Sequence, residues 1–324
     1  MRLLVAGAGA IGQWLGARLL EARHDVTLLT TARHRDAIAK DGLCVRGETS
    51  LCVDPTVATD AAALRPGFDA IVLTAKAYRT APLAAATARL LAPGGVYATL
   101  QNGLGNAEKL ARHLPVDRIA VATTSHGVDV EAPGKLVHTG LGGFRVGPMA
   151  PAGAEAARTL HGLLADAALA PAWADQMRGW TWQKAILNSG INPVGALHGA
   201  TNGDILARAE LRGLAQGLID EAEALARRAR VPIPDGDLRA LALDVLGRTQ
   251  ANRNSMLQDV AARRPTETEQ ITGRLVRLGE KLLASMPRSD AVYGRMKDLE
   301  SGYLGADAAT RLAWDELPFE ADPF

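Results

Sequence analysis

Glycines at positions 7, 9 and 12, set between a short apolar run and a helical repeat, constrain this chain more than any other feature. Residues 2–6 (RLLVA) predict a strand that stops at glycine. Residues 11–22 predict a helix, with Ile11, Leu15, Leu19 and Ala22 spaced by 4, 4 and 3. Residues 26–30 (VTLLT) predict a second strand. The first turn of this βαβ unit reads Gly7-Ala8-Gly9-Ala10-Ile11-Gly12. In such a unit the first glycine permits a tight turn. The second lets the backbone approach a pyrophosphate, and the third lets helix and sheet pack closely. The helix N-terminus then offers free N–H groups and its positive end to the phosphates. The competing readings are a plain glycine-rich turn and the related loop of a methyltransferase.

The end of the second predicted strand reads Thr30-Thr31-Ala32-Arg33-His34-Arg35, with no acid between Val26 and Arg35. A dinucleotide site selective for a free ribose 2′-hydroxyl places Asp or Glu about 20 residues after the glycines. Arginines there pair instead with a 2′-phosphate. NADP(H) is therefore favoured, against the alternative of an ordinary solvated basic loop.

Later apolar runs at 69–74, 96–100, 119–125 and 135–146 predict further strands, and residues 79–92 a helix between the first two. Strands alternating with helices imply an open parallel sheet covered on both faces. The pattern changes after about residue 150. Residues 152–169 predict a helix. Leu211, Leu214, Leu218, Ala222, Leu225 and Ala229 mark one later helical face, and Ile271, Leu275, Leu278 and Leu282 another. The expected architecture is an α/β doubly wound sheet over residues 1–174 and an all-α domain over 175–324, with the boundary near 170–178. Residues 318–324 are expected to be a loose tail.

Composition excludes several roles. Lys plus Arg number 36 against 35 Asp plus Glu, so no general pull toward nucleic acid or anionic lipid exists. Aromatics are 4%, too few for base-stacking platforms. Residues 3–17 and 185–203 lack Asp, Glu, Lys and Arg, but glycines break the first and Asn188, Asn192, Pro193, His198 and Asn202 the second. Neither reads as a membrane segment. Cys44 and Cys52 are read as neither a disulfide framework nor a zinc cluster, and a cytoplasmic protein is expected.

Chemistry concentrates in four places. In residues 180–195 (WTWQKAILNSGINPVG), Lys184, Asn188 and Asn192 recur at i, i+4 and i+8 and share one face of an otherwise apolar helix. A lysine in that stripe faces a cleft or a partner, because an unpaired buried charge is costly. Pro193 is expected to end or kink the helix. Residues 252–273 carry Ser255 and Glu267, which taken alone read as a surface serine and a first-turn acid after Pro265 more readily than as catalytic groups. Gln101-Asn102-Gly103-Leu104-Gly105-Asn106 and Lys76 follow predicted strands, where doubly wound folds bind ligands. Turn chemistry is the alternative there.

Taken in order, these segments resemble the ketopantoate reductase (2-dehydropantoate 2-reductase) family over essentially the whole chain. The resemblance runs through GAGAIG (7–12), TAKAY (74–78), QNGLGN (101–106), TTSHG (123–127), KAILNSGINP (184–193), TNGDI (201–205), NSMLQD (254–259) and RRPTETEQITG (263–273). It implies an N-terminal Rossmann-like domain, an all-α C-terminal domain and an active site between them that reduces ketopantoate to pantoate with NADPH, a step toward pantothenate. It implies Lys184 and Glu267 as catalytic residues. It implies substrate contacts from Lys184, Asn102, Asn188, Asn192, Asn202 and Ser255. Cofactor contacts would come from Gly7, Gly9, Ala10, Ile11, Gly12, Lys76, Asn102 and Glu267. One departure stands out. Many members carry Ala-Arg-Gly at the end of the second strand, and here Thr31 takes the arginine's place, leaving the 2′-phosphate to Arg33 or Arg35. The partner implied is a small 2-keto acid, with a homodimer left open and neither nucleic acid nor membrane expected. A paralogue reducing another 2-keto acid, a 3-hydroxy acid dehydrogenase and a non-catalytic NADP(H) sensor are the alternatives.

Overall fold

Apolar runs bounded by glycine and polar turns build the first half of the chain. In chain order the elements are β1 (Arg2–Ala6), α1 (Ala10–Glu21), β2 (Asp25–Leu29), α2 (Ala32–Asp41), β3 (Leu43–Gly47), β4 (Leu51–Val53), β5 (Thr56–Ala58) and β6 (Phe68–Leu73). Then come α3 (Thr80–Thr87), β7 (Leu91–Thr99), α4 (Asn106–Ala111), β8 (Ile119–Thr124), β9 (Gly127–Ala132), β10 (Lys135–Gly140), β11 (Phe144–Gly147), α5 (Ala154–Asp166) and β12 (Ala172–Trp173). The computed structural model describes residues 1–305, so the expected tail at 318–324 lies outside them. Two compact units emerge. Among the described residues, one comprises 1–101 and 105–177, and the other 102–104 and 178–305.

The first unit centres on an eight-stranded sheet in the order β12-β11-β8-β7-β6-β1-β2-β5. All neighbours are parallel except β11 and β8. Leu3, Leu4, Val5 and Ala6 of β1 and Ile71 and Leu73 of β6 have no exposed surface, as expected of strands covered on both faces. Strand order reverses between β1 and β6, which puts the topological switch point at the carboxyl ends of these two strands.

Several expectations need correction. A second, four-stranded sheet, β4-β3-β10-β9, had no counterpart in the sequence reading. Its strands are short, and the pair that joins its two hairpins, β3 with β10, lies far apart in the chain. The single apolar stretch expected at 135–146 is shared between the sheets, β10 in the small one and β11 in the large. Between them Gly142 passes so close to Ser125 that an added Cβ would sit 2.2 Å from the Ser125 carbonyl carbon. Residues expected at a strand end, Ala32 to Arg35, instead open α2, with Thr31 at its N-cap. Cys44 and Cys52 face each other across β3 and β4 and form a disulfide. Eight residues of separation suffice because the chain reverses tightly between the two strands, so the cysteine argument for compartment falls away.

The second unit is built from α6 (Met177–His198), α7 (Asn202–Ala207), α8 (Ala209–Arg228), α9 (Leu238–Arg248), α10 (Ser255–Ala261), a π-helical turn (Glu269–Gly273), α11 (Arg274–Lys281) and α12 (Pro287–Leu304). The first residue of α6, Met177, clusters with the first unit. Leu211, Leu218, Ala222 and Leu225 form the buried face of α8. Pro193 does not end α6, which continues to His198. The turn beyond it is held by packing, since Ala196 joins Met256, Ile271 and Met296 in a buried cluster. Among the described residues, no helix is long and apolar enough to cross a membrane, and no group of His, Cys, Asp or Glu is arranged to hold a metal ion.

Candidate active site

The three glycines after β1 differ in what they touch. Gly7 has φ +72°, and a Cβ there would lie 2.3 Å from Ala75 Cβ. A Cβ on Gly12 would lie 2.2 Å from Thr74 Oγ1. Both are therefore glycine because β1 and β6 converge there. Gly9, the N-cap of α1, has nothing within 4 Å of the corresponding position. Protein packing does not require that glycine, and the bare backbone is open for close approach of another molecule. Ala10, Ile11 and Gly12 form the first turn of α1, where N–H groups have no preceding helical carbonyl, and no side chain caps them. The start of the turn is pinned by the Gly7 and Ala8 N–H groups, both donating to the Leu29 carbonyl at 3.0 Å. These residues meet the requirements of a dinucleotide pyrophosphate: bare backbone, free donors and a helix N-terminus.

Beyond β2, Thr30 Oγ1 donates to the Ala8 carbonyl at 2.9 Å, tying the two turns together. Arg33 is exposed on the first turn of α2. Arg35 is engaged by its neighbour Asp36, with Nη2 2.7 Å and Nε 2.9 Å from Oδ1. His34 Nδ1 lies 3.1 Å from Gln13 Nε2. Lys76 stands just past β6 and is half-buried. Its loop is fastened to the end of β7, where Gln101 Nε2 donates to the Ala75 carbonyl at 2.9 Å.

In the helical unit, the long helix α6 carries Lys184, Asn188 and Asn192 on one face, as their spacing requires. Asn192 is buried; Lys184 and Asn188 keep partial access. Burial pushes the Lys184 ammonium down to about 8, opposed by attraction to the Glu267 carboxylate. Glu267 itself is 4% exposed. It accepts a hydrogen bond from Asn102 Nδ2 at 3.3 Å. Asn102 is placed by its neighbours: Leu104 N–H donates to the Gln270 carbonyl at 3.0 Å, and Gly103, at φ +83°, passes within 2.6 Å of the same oxygen at its would-be Cβ. Only a left-handed glycine fits there. Lys184, Glu267 and Asn102 are thus brought together.

The remaining expected residues sit differently. Ser255 is exposed at the start of α10. The residue before it, Asn254, was not singled out from sequence and is buried. Its Oδ1 accepts the Met256 and Leu257 N–H groups, and its Nδ2 lies 3.5 Å from the Ile191 carbonyl of α6. Its position just before Ser-Met-Leu is an N-cap signal that was available. Asn202 is buried at the start of α7, where its Nδ2 donates to Thr249 Oγ1 at 2.7 Å and its Oδ1 is buried without a partner. The chain after Pro265 does not continue as a regular helix. Gly273 N–H reaches back to the Thr268 carbonyl, giving the π turn. Such turns concentrate at functional sites.

Residues 3–151 match the family model described as ketopantoate reductase PanE/ApbA, and residues 176–300 match that of its C-terminal domain. The 2-dehydropantoate 2-reductase of Pyrococcus horikoshii is 30% identical over 303 residues, covering 93% of this chain and 98% of that protein. That of Vibrio cholerae is 29% identical over 311 residues, covering 94% and 100%. A crystal structure of a PanE/ApbA family ketopantoate reductase from Ralstonia eutropha superposes with a TM-score of 0.86 at 26% identity, covering 94% of this chain and 99% of that one. D-mandelate dehydrogenase in complex with NADH and anilino(oxo)acetate shares the fold, with a TM-score of 0.88 at 20% identity and coverage of 94% and 99%. With both family models spanning most of its length and both kinds of domain present in the expected order, the chain belongs to the ketopantoate reductase family.

Proposed function

We propose that this protein reduces ketopantoate to pantoate with NADPH in the cytoplasm, on the route to pantothenate. The observation that carries the reading is Lys184, half-buried in an apolar helix beside the buried carboxylate of Glu267. A structural lysine has no need of that position. A proton donor to a ketone oxygen has, because it must hold a proton near neutral pH and yet release it.

When bound, the nicotinamide supplies a hydride to the 2-keto carbon. Lys184, as the ammonium, hydrogen-bonds the keto oxygen on which negative charge develops, then transfers its proton there and ends as the neutral amine. Glu267 keeps the ammonium form populated and accepts from the substrate hydroxyl. Asn102, Asn188, Asn192 and Ser255, with Asn202 Oδ1 as an acceptor, hold the substrate carboxylate and hydroxyl. Neutral donors leave Lys184 as the charge directed at the ketone. Gly7, Gly9, Ala10, Ile11 and Gly12 hold the pyrophosphate, and Lys76, Asn102 and Glu267 serve the nicotinamide end. Arg33 reads the 2′-phosphate, since Arg35 is already engaged by Asp36.

The test is NADPH oxidation by the purified protein with ketopantoate, repeated with NADH and with other 2-keto acids. Rapid turnover on ketopantoate with NADPH preferred is expected. Activity confined to another keto acid would replace the substrate assignment, and NADPH binding without turnover on any would replace catalysis by sensing.

A further inference from the structure

Side chains of α12, joined by Arg277 of α11, clamp the segment that carries Glu267 from both sides. One residue before it, Thr266 donates its N–H and its hydroxyl to Glu300 Oε1, each at 2.8 Å. Two residues after it, Glu269 receives Arg277 Nη2 at 2.7 Å, the Tyr293 hydroxyl at 2.8 Å and Lys297 Nζ at 3.0 Å. Lys297 Nζ also lies 3.7 Å from Glu300 Oε2, so the two clamps form one network. Tyr293, Lys297 and Glu300 recur at spacings of 4 and 3 along α12, on a single face. Inside the segment the Thr266 and Thr268 hydroxyls are 2.7 Å apart, and Thr268 N–H donates to Thr266 Oγ1.

Glu269 and Glu300 are both buried. Burying two carboxylates is costly, and apolar side chains would anchor an ordinary turn more cheaply. An ionic anchor differs in being directional, fixing backbone position through hydrogen bonds of defined length. It flanks the one residue, Glu267, whose carboxylate acts on Lys184. The charged groups around this segment are Asp259 and Arg264, paired at 3.0 Å, then Glu269, Arg274, Arg277, Lys297 and Glu300. On α6 itself they are Arg178 and, at the far end, His198. Beside these groups, Glu267 attracts the Lys184 ammonium.

We propose that Glu300, acting with Lys297 and Glu269, is a positioning residue that fixes the backbone on either side of Glu267 and with it the place of the Glu267 carboxylate. The inference rests on Lys184 as proton donor, but it assigns a role to residues that the reaction itself does not need. Loss of the clamp lets Glu267 withdraw, weakens the attraction and makes the ammonium easier to deprotonate.

The experiment measures kcat/KM against pH for Glu300→Ala and Glu300→Gln. It also follows the Lys184 side chain by NMR titration of protein carrying 13C at lysine Cε. In Glu300→Ala the alkaline limb and the Lys184 titration are both expected to move down by at least about half a pH unit, with NADPH affinity unchanged. Glu300→Gln, which keeps an acceptor for Thr266, is expected to restore most of the difference. An unmoved Lys184 titration in folded Glu300→Ala overturns the inference. If Glu300→Ala does not fold, Thr266→Val, which removes the hydroxyl shared by Glu300 and Thr268 but leaves the Thr266 N–H on Glu300, is read the same way, and an unmoved titration again overturns it. Absence of turnover in the wild-type protein would defeat the catalytic reading instead, while the NMR titration would still decide the positioning role.

Discussion

Asn102 donates its side-chain N–H to the Glu267 carboxylate across 165 positions of sequence, at 3.3 Å. Glu267 in turn is the charge that acts on the Lys184 ammonium. Lys184→Ala is therefore expected to keep the fold and NADPH binding and to lose at least about 100-fold in kcat, as removal of a general acid commonly does. Steady-state kinetics alongside a cofactor titration check it. Near-normal turnover would remove Lys184 from the mechanism.

The pH dependence follows from the same pair. Lys184 loses its proton at about 8 in the folded chain. With the ammonium as the proposed acid, kcat/KM is expected to be level below that pH and to fall as pH rises through it. Glu267→Gln removes the opposing attraction and is expected to shift the fall to lower pH. For stability the sign is opposite. The unfolded lysine, with its ordinary value of 10.5, binds more protons than the folded one between about 8 and 10.5. The Lys184 contribution to stability is therefore expected to rise with pH across that window, visible as the difference between wild type and Lys184→Met in denaturant titrations.

Two glycine substitutions separate packing from ligand approach. Gly12→Ala drives a Cβ into Thr74 and is expected to cost about 1–3 kcal/mol of stability. Gly9→Ala meets nothing within 4 Å and is expected to change stability by less than about 0.5 kcal/mol while weakening NADPH binding at least about tenfold. Thermal melts and cofactor titrations read the two effects independently, and unchanged NADPH affinity in Gly9→Ala would argue against the pyrophosphate site.

Cofactor choice is expected to divide the two arginines. Arg33→Ala should weaken NADPH about tenfold or more and leave NADH unaffected, because only the 2′-phosphate is read there. Arg35→Ala removes an exposed pair with Asp36, worth about 0–1 kcal/mol, and should alter neither cofactor. Equal losses for NADPH and NADH in Arg33→Ala would show that it reads something other than the phosphate.

The disulfide closes a short loop in the small sheet, its cysteines eight positions apart in sequence. The doubly substituted Cys44→Ser, Cys52→Ser chain is expected to lose about 2 kcal/mol of stability by the chain-entropy argument and to keep its turnover. Denaturant unfolding with and without reductant measures the first, and an activity loss at unchanged stability would tie the small sheet to the site.

The βαβ unit, the helical second half and the shared face of Lys184, Asn188 and Asn192 are legible in the sequence, because each follows from local periodicity or from glycine stereochemistry. The small sheet is not: β3 pairs with β10 some ninety positions later, and nothing local marks that partner. The Cys44–Cys52 bond depends on register across β3 and β4, which the spacing alone leaves open. The passage of α6 through Pro193 depends on a buried contact between Ala196 and distant helices, which outweighs the missing N–H. What brings Asn102 to Glu267, and Glu300 to Thr266, is likewise tertiary. Hydrogen bonds between residues 165 and 34 positions apart form only where packing brings their segments together. Sequence by itself determined the βαβ unit, the helical second half and the side chains they carry; packing decided the small sheet and which of those side chains meet.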